Sequence, residues 1–353
     1  MIIIASRKEV AQLAGVSEAT VSRVLNGVGP IKEETKRRVN EAAQQLGYTP
    51  SALARSFARR RSGNLGVVMP YLPKARIFSA YYFSEILSGI GSKALESKVD
   101  LLMLFREPGG SMDYLNLFRT QKVDGCIILG AREEEEERLA IKAMAEAGHP
   151  YCLINQRFEN ESFHVIDADH VEGSYQAVRH LTQQGFKRIA FLNGPPEYSN
   201  SRDRMEGYVR ALTEAGLQQE DPLLFEGNFS RKSGIAAAEH MVSKLDRIDA
   251  IFAANDRMAI GLQQGLRMCG VAESDMPAFV GYDDSEAAEL STPPLTSVRV
   301  PFYELGCLAA EHVLHRLGQP EAAIKEEGSQ LQKPLHRQLP TRLVIRASSL
   351  NRK

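Results

Sequence analysis

From Asn64 onward, short apolar runs alternate with amphipathic stretches of helical period. The runs are LGVVMP, DLLMLF, DGCIILG, PYCLIN, HVIDAD, RIAFLNG, DAIFAAN and AFVGYDD, and between them lie SEILSGIGSKALESK, SYQAVRHLTQQG and AIGLQQGLRMCG. Strands buried on both faces and separated by helices imply parallel sheets with right-handed crossovers, a doubly wound α/β architecture. Roughly ten strand-helix units exceed a sheet of usual size, so two lobes are expected rather than one. The expected division puts about 64–164 and 297–330 in an N-lobe, and about 165–293 and 335–347 in a C-lobe.

The first 46 residues read differently. RKEVAQLA carries Val10, Leu13 and Ala14 at helical spacing, and Gly15 follows with the backbone freedom of a tight turn. Ser17 is placed to cap a second helix, SEATVSRVLN, with Val21, Val24 and Leu25 on one face. Gly27 and Pro30 end it, and a third helix from about Lys32 to Leu46 turns Val39, Ala42 and Leu46 inward. Two short helices crossing over a glycine turn, with Ala11 and Val21 at the crossing, form a helix-turn-helix. The second helix then presents Glu18, Ala19 and Arg23 on its outer face, where side chains reach base edges in a major groove. Arg23 suits guanine O6 and N7, and Glu18 suits the cytosine amino group.

Charge supports this division. The chain is nearly neutral, at −1, but residues 1–63 hold 11 Lys and Arg against 5 Asp and Glu, so the head is basic and the body acidic. Between them, YTPSALARSFARRRSG reads as a basic linker of marginal helicity, able to fold when docked. The expected organisation is a DNA-binding head over 1–50, a hinge over 51–63 and an α/β body over 64–347.

Several classes are disfavoured. Cys126, Cys152, Cys269 and Cys307 show no CxxC spacing and read as buried small hydrophobes, with no metal site expected. The run Glu133 to Glu137 reads as the solvated start of a helix. HVLH, with His312 and His315, reads as dimer or core packing. No GxGxxG after a strand, P-loop or GxSxG occurs, so neither a cofactor nor catalysis is expected. The apolar start is too short for a secretory signal, which points to the cytoplasm and against the solute-binding component of a transporter, the alternative that the body alone would suit.

The stretch EVAQLAGVSEATVSRVLNG, followed by ETKRRV, LGYTPSALARS and LGVV, resembles the LacI/GalR family of bacterial transcription regulators. The later segments VDGCIILG, INQR, HLTQQGFKRIAFLNG, SRDRMEGY, AIFAANDRMAIG, VGYDD, PPLTSVRV and LPTRLVIR agree in order, so the resemblance spans essentially the whole chain. It implies a lambda-repressor-like head on a body of two periplasmic-binding-protein-like lobes, and a homodimer bound to a near-palindromic operator. It extends the DNA-facing set to Ser17, Thr20, Asn26 and Tyr48, and to Ser51, Ala54, Arg55 and Phe57 in the hinge. Phe57 stands where the family usually has a minor-groove leucine wedge. A small polar effector, expected to be a sugar, is implied in the cleft at the carboxyl ends of the strands. Its candidate residues are Tyr82 and Phe83 after the first strand, Arg157 after the fourth, Arg204 in SRDRMEGY, Phe229 in EGNFS, Asn255 and Asp256 ending AIFAAND, and Asp283 ending FVGYD. Aromatic faces among bidentate Arg, Asn and Asp groups suit a polyhydroxylated ring. The tail after Arg346 is too short for a tetramerising coiled coil, which favours the dimer.

Overall fold

The computed structural model describes residues 5–27, 29–49, 61–71, 80–107, 113–217, 223–318 and 334–350. Three helices form the head: α1 (Arg7–Ala14), α2 (Glu18–Asn26) and α3 (Glu33–Gln45). Ser6 caps α1 through a reciprocal pair with Glu9, and Ser17 caps α2 by accepting from the Thr20 N–H at 3.2 Å. Gly15 ends α1 at φ +65°, where its own N–H reaches back to the carbonyls of Ala11 and Gln12. Val10, Ala11, Ala14, Val21, Val39, Ala42 and Ala43 fill the core beneath, with Val16, Val24, Leu25, Leu46 and Tyr48 packed around it. Leu13, read at helical spacing with Val10 and Ala14, is exposed, and Ala11 is buried beside those two.

The body contains two six-stranded sheets. The first runs β11-β5-β4-β3-β1-β2, comprising β1 (Asn64–Pro70), β2 (Asp100–Arg106), β3 (Gly125–Leu129), β4 (Tyr151–Ile154), β5 (Val165–Ala168) and β11 (His336–Leu339), paired parallel throughout. Helices α4 (Tyr81–Glu96), α5 (Tyr114–Arg119), α6 (Glu135–Glu146) and α12 (Phe302–Gly318) accompany it. The second runs β12-β10-β9-β8-β6-β7, comprising β6 (Ile189–Asn193), β7 (Leu224–Glu226), β8 (Ala250–Ala253), β9 (Ala278–Asp283), β10 (Thr296–Arg299) and β12 (Arg342–Val344), of which only β12 is antiparallel. Its helices are α7 (His170–Gln183), α8 (Ser199–Glu214), α9 (Arg231–Met241), α10 (Asp256–Met268) and α11 (Glu286–Leu290).

Pairing corrects the expected lobe boundaries. Val165–Ala168 adds a strand to the first sheet, Thr296–Arg299 belongs to the second, and His336–Leu339 returns to the first. The chain therefore crosses between lobes after Ala168, after Arg299 and after Leu339. Those crossings are long-range pairings to which the period of apolar residues is blind.

Two other expectations change. Cys126 and Cys152 are buried and burial pushes both thiols up to about 12, but Cys269 is exposed and Cys307 half-buried. In the acidic run, Glu137 is buried between the Arg106 guanidinium and the Tyr114 hydroxyl, and Glu133 receives the Glu159 N–H at 2.6 Å together with Arg138 and Arg202. Those two acids tie elements together rather than coating a solvated turn.

Candidate ligand cleft and DNA-reading helix

A cavity of about 1040 Å³ opens between the two sheets. Its walls come from where strands end and helices begin, the place at which a doubly wound sheet exposes backbone and polar ends. Six of the expected residues line it: Tyr82, Phe83, Arg204, Phe229, Asn255 and Asp283. Tyr82 stands edge-on to Phe83, with ring centroids 4.8 Å apart, and to Phe302 at 5.2 Å, so the first turn of α4 offers a rigid aromatic wall.

Phe229 faces that wall from the other lobe. It sits at φ +63° just before α9, and its carbonyl is held by the Asn255 amide at 3.0 Å. The ring lies over Gly194, where an added Cβ would come within 2.1 Å of it. Asn255 also caps α10, its Oδ1 accepting the Met258 N–H at 2.8 Å. It therefore shapes the wall with an amide already engaged on both sides.

Arg204 has the most demanding environment. The residue is 3% exposed, its guanidinium carbon stands 4.2 Å over the Tyr282 ring and 5.8 Å over the Phe229 ring, and its Nε has no hydrogen-bond partner among the described residues. Two further lining residues share that condition: Asn155 Nδ2 and Asn200 Oδ1 are buried and unpartnered. Buried polar atoms without partners cost free energy unless a ligand supplies them. Behind this layer His170 is fully buried, its Nδ1 3.2 Å from the Tyr282 hydroxyl and its Nε2 3.3 Å from Asn155 Oδ1. Burial, with Arg204 and Arg157 nearby, holds His170 well below its usual value, so a neutral imidazole fixes Asn155 and Tyr282 in place. Asp283 ends β9 at φ +102°. Burial and the neighbouring Asp256 raise its carboxyl well above the usual range.

Arg157 and Asp256 do not line the cavity. The Arg157 guanidinium is taken up by Asp167 and Asp203. Asp256 is fully buried at the start of α10, where it accepts from the Ser285 N–H and hydroxyl at 2.8 Å each and from the Ser297 hydroxyl at 2.6 Å. Its role is to join α10 to the ends of β9 and β10. Asn155, Tyr198, Asn200, Lys232 and Arg257 line the cleft without having been singled out from sequence. Asn155, one residue beyond the apolar run of β4, carried a readable signal in its strand-end position. The others lie within helices and loops whose facing is set by tertiary packing.

In the head, Ser17, Glu18, Ala19 and Arg23 are exposed and Thr20 is half-buried. Glu18 pairs with Arg7 at 3.0 Å, which offsets the charge a lone carboxylate would bring toward phosphates. Asn26 is buried, its amide donating to the Ser22 carbonyl at 2.7 Å, so it completes α2 rather than facing outward. Tyr48 packs against the head core. Ser51, Ala54, Arg55 and Phe57 lie outside the described residues.

A helix-turn-helix head joined to a two-lobed body with a polar cleft defines a DNA-binding regulator with a periplasmic-binding-protein-like domain. Residues 7–51 match the model for bacterial regulatory proteins of the lacI family, and residues 178–349 match a periplasmic binding protein-like domain. The chain is 32% identical over 317 residues to the HTH-type transcriptional repressor PurR of Vibrio atlanticus (strain LGP32), covering 89% of this chain and 92% of that protein. It resembles the solved complex of the transcriptional regulator CelR with cellobiose, at 29% identity and TM-score 0.71 over 98% of this chain and 99% of that one. It also resembles the lac repressor dimer bound to operator and the anti-inducer ONPF, at 25% identity and TM-score 0.79 over 99% of this chain and 100% of that one. This chain belongs to the lacI family of bacterial regulatory proteins. Among the described residues, no helix is long and apolar enough to cross a membrane.

Proposed function

We propose that this protein is a cytoplasmic homodimeric repressor, without catalytic activity or cofactor, whose affinity for an operator is set by a small sugar-like effector in the interlobe cleft. The observation that carries the reading is the set of buried, unpartnered polar atoms on Arg204, Asn155 and Asn200, framed by the rings of Tyr82, Phe83 and Phe229. Aromatic faces beside fixed donors and acceptors match the alternating C–H faces and hydroxyls of a pyranose. CelR, solved as a complex with cellobiose, is a precedent in a related chain.

The link from cleft to DNA starts where the hinge enters the body. Asp124 accepts the N–H groups of Ser62 and Gly63 at 2.8 and 2.7 Å, and Arg61 donates to the Leu317 carbonyl at 2.7 Å. The end of the hinge thus moves with the first lobe. A ligand that draws the lobes together alters where the two hinges of a dimer emerge, and with that the spacing of the heads. Reciprocal linkage then requires operator to change effector affinity by the same factor.

In the head, Arg23, with Ser17, Glu18, Ala19 and Thr20, meets the major groove, and Ser51, Ala54, Arg55 and Phe57 serve the hinge. The test is a thermal-shift screen of the full-length protein against sugars, sugar phosphates, nucleosides and amino acids. A ligand at 100 times its Kd adds about 2.7 kcal/mol to stability. A hit among the sugars supports the reading. A hit confined to nucleosides or amino acids replaces the sugar with that class.

A further inference from the structure

We infer that the effector of this cleft carries a negative charge: a polyhydroxylated ring bearing a carboxylate or a phosphate rather than a neutral sugar. The inference rests on the sensing role proposed above and deepens it. Among the described residues, the lining holds four cationic side chains, Arg132, Arg204, Lys232 and Arg257, and three acidic ones, Glu197, Glu226 and Asp283. Arg132 is spent, because it pairs with Glu134 and Glu197 at 2.9 Å each. That also removes Glu197 from the count.

The remaining three cations form no ion pair with any described residue. Arg204 is the most constrained of them, buried with an unpartnered Nε above the Tyr282 ring. Lys232 and Arg257 are each the second residue of a helix, α9 and α10, so both add their charge where the backbone N–H groups already make the potential positive.

Against them, among the described lining residues, stand Glu226, exposed at the end of β7 as Lys232 is on α9, and Asp283. Burial and the proximity of Asp256 push the Asp283 carboxyl toward its neutral form, although Arg204 and Arg257 both draw it the other way. The cleft therefore presents more positive charge than its own acids balance. A neutral ring satisfies the lone Nε but leaves that excess standing. An anionic group on the ring supplies charge-assisted hydrogen bonds, the stronger kind, in a setting of low dielectric.

The test is isothermal titration of the full-length protein with matched pairs: D-glucose against D-glucuronate and D-galactose against D-galacturonate, with D-glucose 6-phosphate as the phosphate arm. The expected result is that an acidic member binds at least about tenfold more tightly than its neutral counterpart. Lys232→Ala and Arg257→Ala should each weaken the acidic ligand about three- to tenfold while changing a neutral one by less than about twofold. Preference for the uronates or for the phosphate identifies which anion the cleft takes. Equal or tighter binding of the neutral members overturns the inference and leaves the sugar-sensing role intact. Failure of every member to bind, with operator binding preserved, overturns the inference together with the sugar-sensing role.

Discussion

Arg157 and Asp203 form an ion pair across the gap between the lobes, Arg157 following β4 in the first and Asp203 lying on α8 in the second. The same guanidinium holds Asp167, at the end of β5, which is fully buried. The backbone reinforces the crossing, with the Arg157 N–H donating to the Ser199 hydroxyl at 3.0 Å and the Ser199 N–H donating to Gln156 Oε1 at 3.0 Å. Nearby, Arg202 of the second lobe reaches Glu133 of the first, and Arg132 reaches Glu197 in the opposite sense. Paired charges thus join the two lobes beside the cleft, and one pair, Arg132 with Glu197, also lines it.

Removing the cation from this pair leaves two acids buried without compensation. Arg157→Met should lower the free energy of unfolding by about 2–4 kcal/mol, less than the roughly 3–5 kcal/mol of a fully buried broken pair because Arg157 is itself a third exposed. Urea denaturation of the single variant and of Arg157→Met with Asp203→Asn measures it. The double variant should lose less than the sum of the single losses. A loss below about 0.5 kcal/mol for Arg157→Met would show that the pair is ornamental.

Gly194 sets the position of the Phe229 ring, and Gly194→Ala brings a methyl group within 2.1 Å of it. The ring must move, so effector affinity should fall at least about tenfold while overpacking costs about 1–3 kcal/mol of stability. Calorimetry with the effector found in the thermal-shift screen, beside urea unfolding, separates the two. Unchanged affinity would mean that Phe229 does not contact the ligand.

Acid should weaken the first lobe through His164 and His312. Their rings lie 4.7 Å apart, Arg316 stands 2.7 Å from His164 Nε2, and both imidazoles are lowered to about 4 by burial, with His312 and Arg316 acting on His164 and Arg316 and His315 on His312. Because each folded value is depressed, unfolded histidine takes up protons first as pH falls through its ordinary value of 6.5. Stability is therefore full above that value and declines toward pH 4. Allowing for partial exposure, the loss should be on the order of 1–2 kcal/mol between pH 6.5 and 4.5. His312→Gln should flatten that slope in urea titrations across the range, and an unaltered slope would assign the protons elsewhere.

Arg23 is exposed on the outer face of α2. Arg23→Ala should cost about 1–3 kcal/mol of operator affinity and relax preference at one base position. Selection from a randomised operator library reads this out. A weaker but unchanged sequence profile would place Arg23 on phosphates instead.

The head was legible in the sequence because its determinants are local: Gly15 at a left-handed turn, Ser17 as a cap, and Val10 and Val21 at helical period. The cleft was legible where position along a strand fixes the outcome, as for Asn255 and Asp283 at the ends of β8 and β9. Arg157 and Asp256 were misplaced because their partners are remote in the chain, Asp203 for one and Ser285 and Ser297 for the other, and no spacing rule brings such groups together. The same reason hid Glu137, whose partner Arg106 lies 31 residues earlier. Asn26, which the family resemblance placed among the DNA-facing residues, is buried with its amide turned back to the Ser22 carbonyl, a local bond that spacing along the helix does not announce.

The most direct test of ligand control is operator binding by fluorescence anisotropy, with and without the effector found in the thermal-shift screen, for wild type and Arg204→Ala. The account predicts that effector changes wild-type operator affinity by about 5- to 150-fold. Arg204→Ala should keep its affinity for operator without effector and lose the response, since the guanidinium faces the cleft and not the head. Equal responses in the two proteins, or a wild-type operator affinity indifferent to a ligand that binds, would contradict it.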